Sequence, residues 1–128
     1  MNYLLDTHTF LWFIDKSPEI SVSASQLIEL TTEDIYLSTA SLWEIAIKHS
    51  LGKLKLPSPF LPFVTQELQK NIFLLLPIRI PHLDEVAVLP FHHRDPFDRM
   101  LIAQAISEDL TIIGADQVFD LYSVKRYW

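Results

Sequence analysis

Cysteine is absent from the 128-residue sequence, which removes disulfides, thiolate metal sites and thiol nucleophiles together and leaves the redox compartment open. Glycine is almost absent: Gly52 and Gly114, the only two, cannot spell GxGxxG or GxxxxGK[ST], so the usual glycine-rich nucleotide cradles are excluded. Positive charge is scarce, with 10 Lys+Arg against 16 Asp+Glu and a formal net charge of −6. The chain therefore lacks the broad cationic surface of a dedicated nucleic-acid binder, and any polyanion it handles must be met by local cations or a metal. Long apolar runs are missing too: residues 10–14 and 72–78, the latter interrupted by Pro77, fall short of the roughly 18 needed to span a membrane. No basic leader is apparent and Asp6 interrupts the first apolar stretch, so a secretory signal is not expected and the reading is a soluble, cytoplasmic protein.

What is present is apolar material, 49% of residues, enough for a sizeable core within a single domain spanning 1–128. Short runs at 3–5, 35–37, 73–76 and 111–113 do not alternate polar with apolar and predict strands buried on both faces. Helical patterns lie between them. Ala24, Leu27 and Ile28 repeat at helical spacing, and Ser23 with Gln26 spells a capping box. A helix over 38–51 is apolar almost all round and stops at Gly52 in a left-handed cap. Further helices are expected over 60–70 and over 96–108, the second capped by Asp95 with Pro96 in its first turn. Residues 56–62, with Pro57, Pro59 and Pro62, form a stiff connector that could let the following helix swing as a flap. The alternation predicts an α/β domain with a mainly parallel sheet, whose ligand site lies beyond the carboxyl ends of the strands.

Four acids fall at positions where chemistry would need them. Asp6 follows the first strand and Asp116 the last, either as ligand-edge carboxylates or as caps of the next helical turn. Glu44 shares a helical stripe with Ala40, Trp43, Ile47 and Leu51. Two ordinary readings compete there: a capping box from Ser41, and an i,i+4 pair with Lys48. Asp98 shares a face with Leu101, Ile102 and Ala105, although an acid in a first turn is also favoured by the helix dipole. Gathered at one edge, such carboxylates repel, and with no Lys expected on the apolar stripes the natural counter-charge is Mg²⁺ or Mn²⁺. A hard divalent ion of that kind activates water for phosphodiester cleavage.

Rival chemistries fare worse. Five histidines are present without HExxH or another paired ligand spacing, which disfavours zinc, and no serine sits in a G-x-S-x-G elbow. An aspartyl-phosphate phosphatase would use an Asp after the first strand, but the second acid such enzymes commonly carry two residues later is replaced by His8. A catalytically silent module binding RNA or protein through the same groove stays open. Phosphate steering would fall to Lys48, His49, Lys53 and Lys55 near the end of one helix, and to His92, His93, Arg94 and Arg99 beside the acids, unless these are ordinary solvated surface. Trp12, Trp43, Phe91 and Phe97 could stack on bases, with core packing the better expectation for most. Apolar residues in 57–64 and the terminal Tyr127-Trp128 hint at self-association.

The segments Leu4-Leu5-Asp6-Thr7-His8, Ser41-Leu42-Trp43-Glu44-Ile45-Ala46-Ile47-Lys48 with Leu51-Gly52-Lys53-Leu54, the run from His93 to Ala105 around Asp95-Pro96-Phe97-Asp98-Arg99, and Ala115-Asp116 with Phe119 and Tyr122 together resemble the PIN domain, in the form of VapC-type toxins of bacterial toxin-antitoxin pairs. The resemblance runs nearly end to end. It implies a three-layer sandwich of helices around a parallel sheet and a metal-dependent endoribonuclease whose acids are Asp6, Glu44, Asp98 and Asp116. Within it, Asp6 and Asp98 would be the main metal ligands, Glu44 would position or deprotonate the water, and Asp116 would complete the coordination of a first or second ion. Asp95 would assist through water and Thr7 would offer a hydroxyl. A homodimer and a cognate antitoxin whose C-terminal segment blocks the acids are also implied. One departure is Gly114, where many relatives carry Thr or Ser, and the missing hydroxyl puts a second metal in doubt.

Overall fold

Leu4 and Leu5 in the first strand and Ile112 and Ile113 in the fourth have no solvent exposure, so both faces of these strands are covered. Each such side chain contributes about 1.5–3 kcal/mol of burial, which makes the pair of strands the axis of the molecule. The computed structural model describes residues 1–128. Five strands, β1 Asn2–Leu5, β2 Ile35–Ser38, β3 Leu74–Leu76, β4 Leu110–Ile113 and β5 Lys125–Tyr127, form one sheet in the order β3-β2-β1-β4-β5. Every pairing is parallel, with Leu4 opposite Ile112 and Leu5 opposite Ile113.

The helices are α1 Thr7–Ile14, α2 Val22–Leu30, α3 Thr39–Ser50, α4 Phe60–Asn71, α5 Ile80–Val88 and α6 Pro96–Glu108, followed by a 3-10 turn at Gln117–Leu121. Residues of α1 to α4, among them Phe10, Ile28, Ile45 and Phe63, pack with Leu5 and Ile113 into one core. On the other face Leu101, Ile102 and Ala105 of α6 pack with Leu4, Ile112 and Phe119 into a second. The expected three-layer α/β sandwich with a parallel sheet is therefore the observed one. Strand order reverses between β1 and β4, and the backbone leaves the sheet at that switch point, where parallel folds place ligands. No helix is long and apolar enough to cross a membrane.

Several local expectations are corrected. The cap of α2 is Ser21, whose Oγ accepts from Ala24 N at 3.0 Å, so the helix starts two residues before the Ser23 box. Strand β3 is an edge, and Leu74 and Leu75 are exposed rather than buried on both faces. Helix α5 and strand β5 carry no readable signal: the one exposes Ile80, Leu83 and Val88, the other is a charged Lys-Arg-Tyr edge. Gly52 does take the left-handed conformation, with φ 73°, just beyond α3.

Candidate metal centre

The first acid is set by a strand end and a helix start. Asp6 is the N-cap of α1, with Oδ1 accepting from Thr9 N at 2.7 Å, so the capping reading holds. The same carboxylate has a second oxygen, which lies against Gly114. A Cβ built on Gly114 would come within 2.8 Å of Asp6 Oδ2 and 3.2 Å of the Phe119 ring. The residue that lacks a hydroxyl at position 114 is thus one where any side chain would press on this acid, and glycine lets β1 and β4 deliver it to the switch point. Asp6 is 5% exposed, and burial holds its carboxyl above the ordinary range, with the Thr9 contacts offsetting part of the effect.

Glu44 is placed by the choice of cap. Ser38, at the end of β2, accepts from Ala40 N at 3.0 Å and starts α3, so Ser41 is one turn inside and Glu44 stands in the helix interior, 5% exposed. Ser41 instead accepts from Thr7 Oγ1 at 2.9 Å, tying α3 to α1, and Thr7 is itself buried. Lys48 Nζ reaches back to Glu44 Oε2 at 2.8 Å. The expectation that no lysine serves the apolar stripes is therefore wrong at this one place, because a flexible lysine stem spans one helical turn. Glu44 Oε1 has no such partner.

Asp95 caps α6, accepting from Phe97 N at 2.8 Å and Asp98 N at 3.3 Å through Oδ1, which fixes Asp98 as the third residue of the helix, in its first turn. Burial, then the neighbouring Asp95, push the Asp98 carboxyl up to about 7, with His93 pulling the other way and Asp6 and Glu44 adding to the rise. Asp6 in turn feels Asp116. The sequence-separated acids do share one electrostatic neighbourhood. Asp116 caps the 3-10 turn through Oδ1, which accepts from Val118 N at 2.9 Å, leaving Oδ2 toward the site.

The tightest grouping is one the sequence reading did not name as such: ligand atoms of His93, Asp98 and Asp116 all lie within 4.8 Å of one another. Asp6 and Glu44 stand outside that set. His93 Nε2 is 2.9 Å from Asp116 Oδ2 and 3.1 Å from Asp98 Oδ2. His93 was expected among RNA-facing cations; it is instead drawn inward, 14% exposed at its side chain. The signal in the sequence was its place two residues before the Asp95 cap, a spacing that carries no periodicity. Two carboxylate oxygens converging on one spot, that of Asp98 on an acid held above its ordinary range, with buried Asp6 close enough to add to that rise, are oxygen donors of the kind a hard divalent ion takes, so these residues fit Mg²⁺ or Mn²⁺.

The other candidate contacts divide. Arg99 is 6% exposed and spends its guanidinium on the carbonyls of Pro90 at 2.9 Å, Leu89 at 3.2 Å and His93 at 3.4 Å, so it builds the loop and is withdrawn from any substrate. His49 Nδ1 pairs with the Leu54 carbonyl at 3.0 Å. Lys53, Lys55 and Arg94 are exposed. Core packing was expected for most of the four aromatics, and two depart from it: Trp43 is 61% and Phe91 84% exposed. Trp43 stands edge-on to Phe97, with centroids 5.3 Å apart, and Arg99 lies 4.0 Å over the Phe91 ring. Trp12 packs between His8 and Trp128.

The chain belongs to the PIN domain family, whose model matches residues 3–125. Among solved structures it is similar to VapBC2 from Rickettsia felis bound to a DNA fragment from its promoter, with a TM-score of 0.74 at 16% identity over 100% of this chain and 99% of that one. It is also similar to FitAcB from Neisseria gonorrhoeae, with 0.68 at 22% identity over 98% and 96%, and to DNA-bound VapBC from Salmonella typhimurium, with 0.71 at 16% identity over 99% and 97%. No curated protein matches the sequence.

Proposed function

We propose that the protein is a metal-dependent endoribonuclease that hydrolyses RNA phosphodiester bonds and acts as the toxin of a toxin-antitoxin pair in the cytoplasm. The observation that carries this reading is the convergence of Asp98, Asp116 and His93 within 4.8 Å at the strand-order switch point, beside buried Asp6. Asp6 and Asp116, through the oxygens their capping bonds leave over, and Asp98, whose carboxylate caps nothing, would hold Mg²⁺ or Mn²⁺. When bound, the ion supplies charge against the phosphate and lowers the pKa of a coordinated water. Glu44 Oε1 would accept a proton from the attacking water, since Lys48 occupies Oε2. Thr7 and Ser41 join α1 to α3 beneath it and keep that acceptor in place. Asp95 shapes the start of α6 and assists through water.

The acids lie on an open edge of the sheet, which suits a polymer better than a small phosphorylated metabolite. A cleft of about 370 Å³ lined by Met1, Leu110 and Tyr122 lies at the other end of the strands, away from the acids. Lys48, His49, Lys53 and Arg94 are proposed as the local cations for an RNA backbone, with Lys53 and Arg94 exposed, and exposed Trp43 and Phe91 offer faces for unpaired bases. A cognate antitoxin is proposed with the toxin reading, supported by the likeness to VapBC structures, and a homodimer is proposed alongside it.

Asp6→Asn and Asp98→Asn should each lower cleavage of a labelled RNA by at least about 100-fold, the scale seen when electrostatic or metal-supporting groups are lost. Circular dichroism should stay that of the parent, and EDTA should stop the parent enzyme. Undiminished cleavage in either variant, or in EDTA, refutes the assignment. RNA binding without cleavage under any divalent ion would instead favour the silent binding module.

A further inference from the structure

The position of His93 is determined from every side. Its loop, between α5 and α6, is fixed by the Tyr122 hydroxyl, which accepts from His92 N at 2.9 Å and His93 N at 2.7 Å and donates to the Pro90 carbonyl at 2.7 Å. The buried Arg99 guanidinium holds the carbonyls of Leu89, Pro90 and His93 from the other side. The imidazole lies against Phe119, with ring centroids 6.0 Å apart. Its Nδ1 receives the backbone N–H of Asp95 at 3.2 Å.

That last contact decides the tautomer. A ring nitrogen that accepts a hydrogen bond carries no proton, so the proton of the neutral imidazole resides on Nε2. Nε2–H donates to Asp116 Oδ2 at 2.9 Å and stands 3.1 Å from Asp98 Oδ2. A metal-ligating histidine needs the opposite arrangement, a bare nitrogen toward the ion and an N–H donated away from it. His93 is therefore built as a donor to the acids. Asp98 comes from the first turn of α6 and Asp116 from the turn after β4, and one N–H is the link between them.

We infer that His93 is a positioning residue: its Nε2–H holds the Asp98 and Asp116 carboxylates together in the geometry one divalent ion requires, without ligating that ion. The inference rests on the metal reading of the proposed function. An ion with bonds of about 2.1 Å needs both oxygens within about 4.2 Å of each other; the shared N–H keeps them within 4.8 Å, a small closing away, where carboxylates left to repel would splay apart. An outer hydrogen bond of this kind is worth about 10–100-fold in metal affinity.

The test uses Mn²⁺ as probe on the full chain. Affinity is read from the free-ion electron paramagnetic resonance signal, and nitrogen coordination from pulsed measurements on the bound ion. The parent should bind Mn²⁺ with no directly bonded ¹⁴N, Asp98→Asn should lose binding, and His93→Ala should bind about 10–100-fold more weakly. His93→Gln, whose amide restores an N–H at nearly the same reach, should recover most of that loss. A strong ¹⁴N coupling in the parent that disappears in His93→Ala makes His93 a ligand and overturns the inference while leaving the metal reading intact. His93→Ala binding as tightly as the parent, or His93→Gln as weakly as His93→Ala, overturns it as well. A parent that binds no Mn²⁺ overturns both readings. Should His93→Ala fail to fold, the parent's nitrogen signal and the His93→Gln affinity still decide.

Discussion

At the scale of single residues, the site is made by carboxylates that each do two things. Asp6 and Asp116 give one oxygen to a backbone N–H of the next turn and keep the other for the edge, so the helix-capping and ligand readings describe the same side chain. The cost of gathering them is carried most visibly by Asp98, whose carboxyl is pushed up to about 7 by burial and by Asp95. A carboxyl raised in the folded state binds its proton more tightly there than in the unfolded chain. Its contribution to stability is therefore favourable at low pH and turns into a penalty as pH rises from about 4 through 7. Asp98→Asn removes the charge that causes the penalty. The metal-free variant is expected to be more stable than the metal-free parent at pH 8, by on the order of 1–3 kcal/mol, with the difference shrinking toward pH 5. Urea titrations in EDTA at the two pH values measure it, and a variant less stable than the parent at pH 8 would contradict the assigned crowding.

At the scale of elements, Arg99 shows how α6 builds a loop it does not belong to. Its guanidinium gathers three carbonyls from the Leu89–His93 segment and covers Phe91. Lysine keeps the charge and loses the planar fork. Arg99→Lys should lower stability by about 2–4 kcal/mol, as for a buried charge left short of partners, and should raise amide exchange at His92 and His93 above that in α6 itself. Unchanged exchange at those two amides would show that Tyr122 alone holds the loop. The elements also mark what was legible in the sequence. Helices α3 and α6 were readable because Ser38 and Asp95 are strong caps ahead of apolar periodicity, and with them the positions of Glu44 and Asp98. Strands β1, β2 and β4 were readable as unbroken apolar runs. Helix α5 was not, since its packing depends on α6 and on His82 bonded to Glu108 at 2.8 Å, and neither contact is periodic. Arg99 looked like a free cation because one sequence does not reveal that three carbonyls will surround it.

At the scale of the whole molecule, the proposed ion sits where the two cores meet. Leu5 and Ile113 belong to one, Leu4 and Ile112 to the other, and the acids leave the ends of these same strands or face them from α3 and α6. Fastening the edge therefore acts on both faces of the sheet at once, and metal binding should raise the stability of the molecule as a unit. An ion that binds only the folded state adds RT ln(1 + [L]/Kd), about 2.7 kcal/mol at a hundredfold excess over Kd. For a chain of this length that corresponds to a rise of roughly 8–13 °C in Tm. Calorimetry of the parent with Mn²⁺ should show one transition moving upward intact. Protons compete for Asp6 and Asp98, both held above the ordinary carboxylate range, so the rise should be larger at pH 8 than at pH 5.5. Asp98→Asn should show little rise at either pH. A transition that splits on adding Mn²⁺ would mean that the ion fastens only one layer, and a rise that grows toward acid pH would mean that it binds somewhere other than these carboxylates.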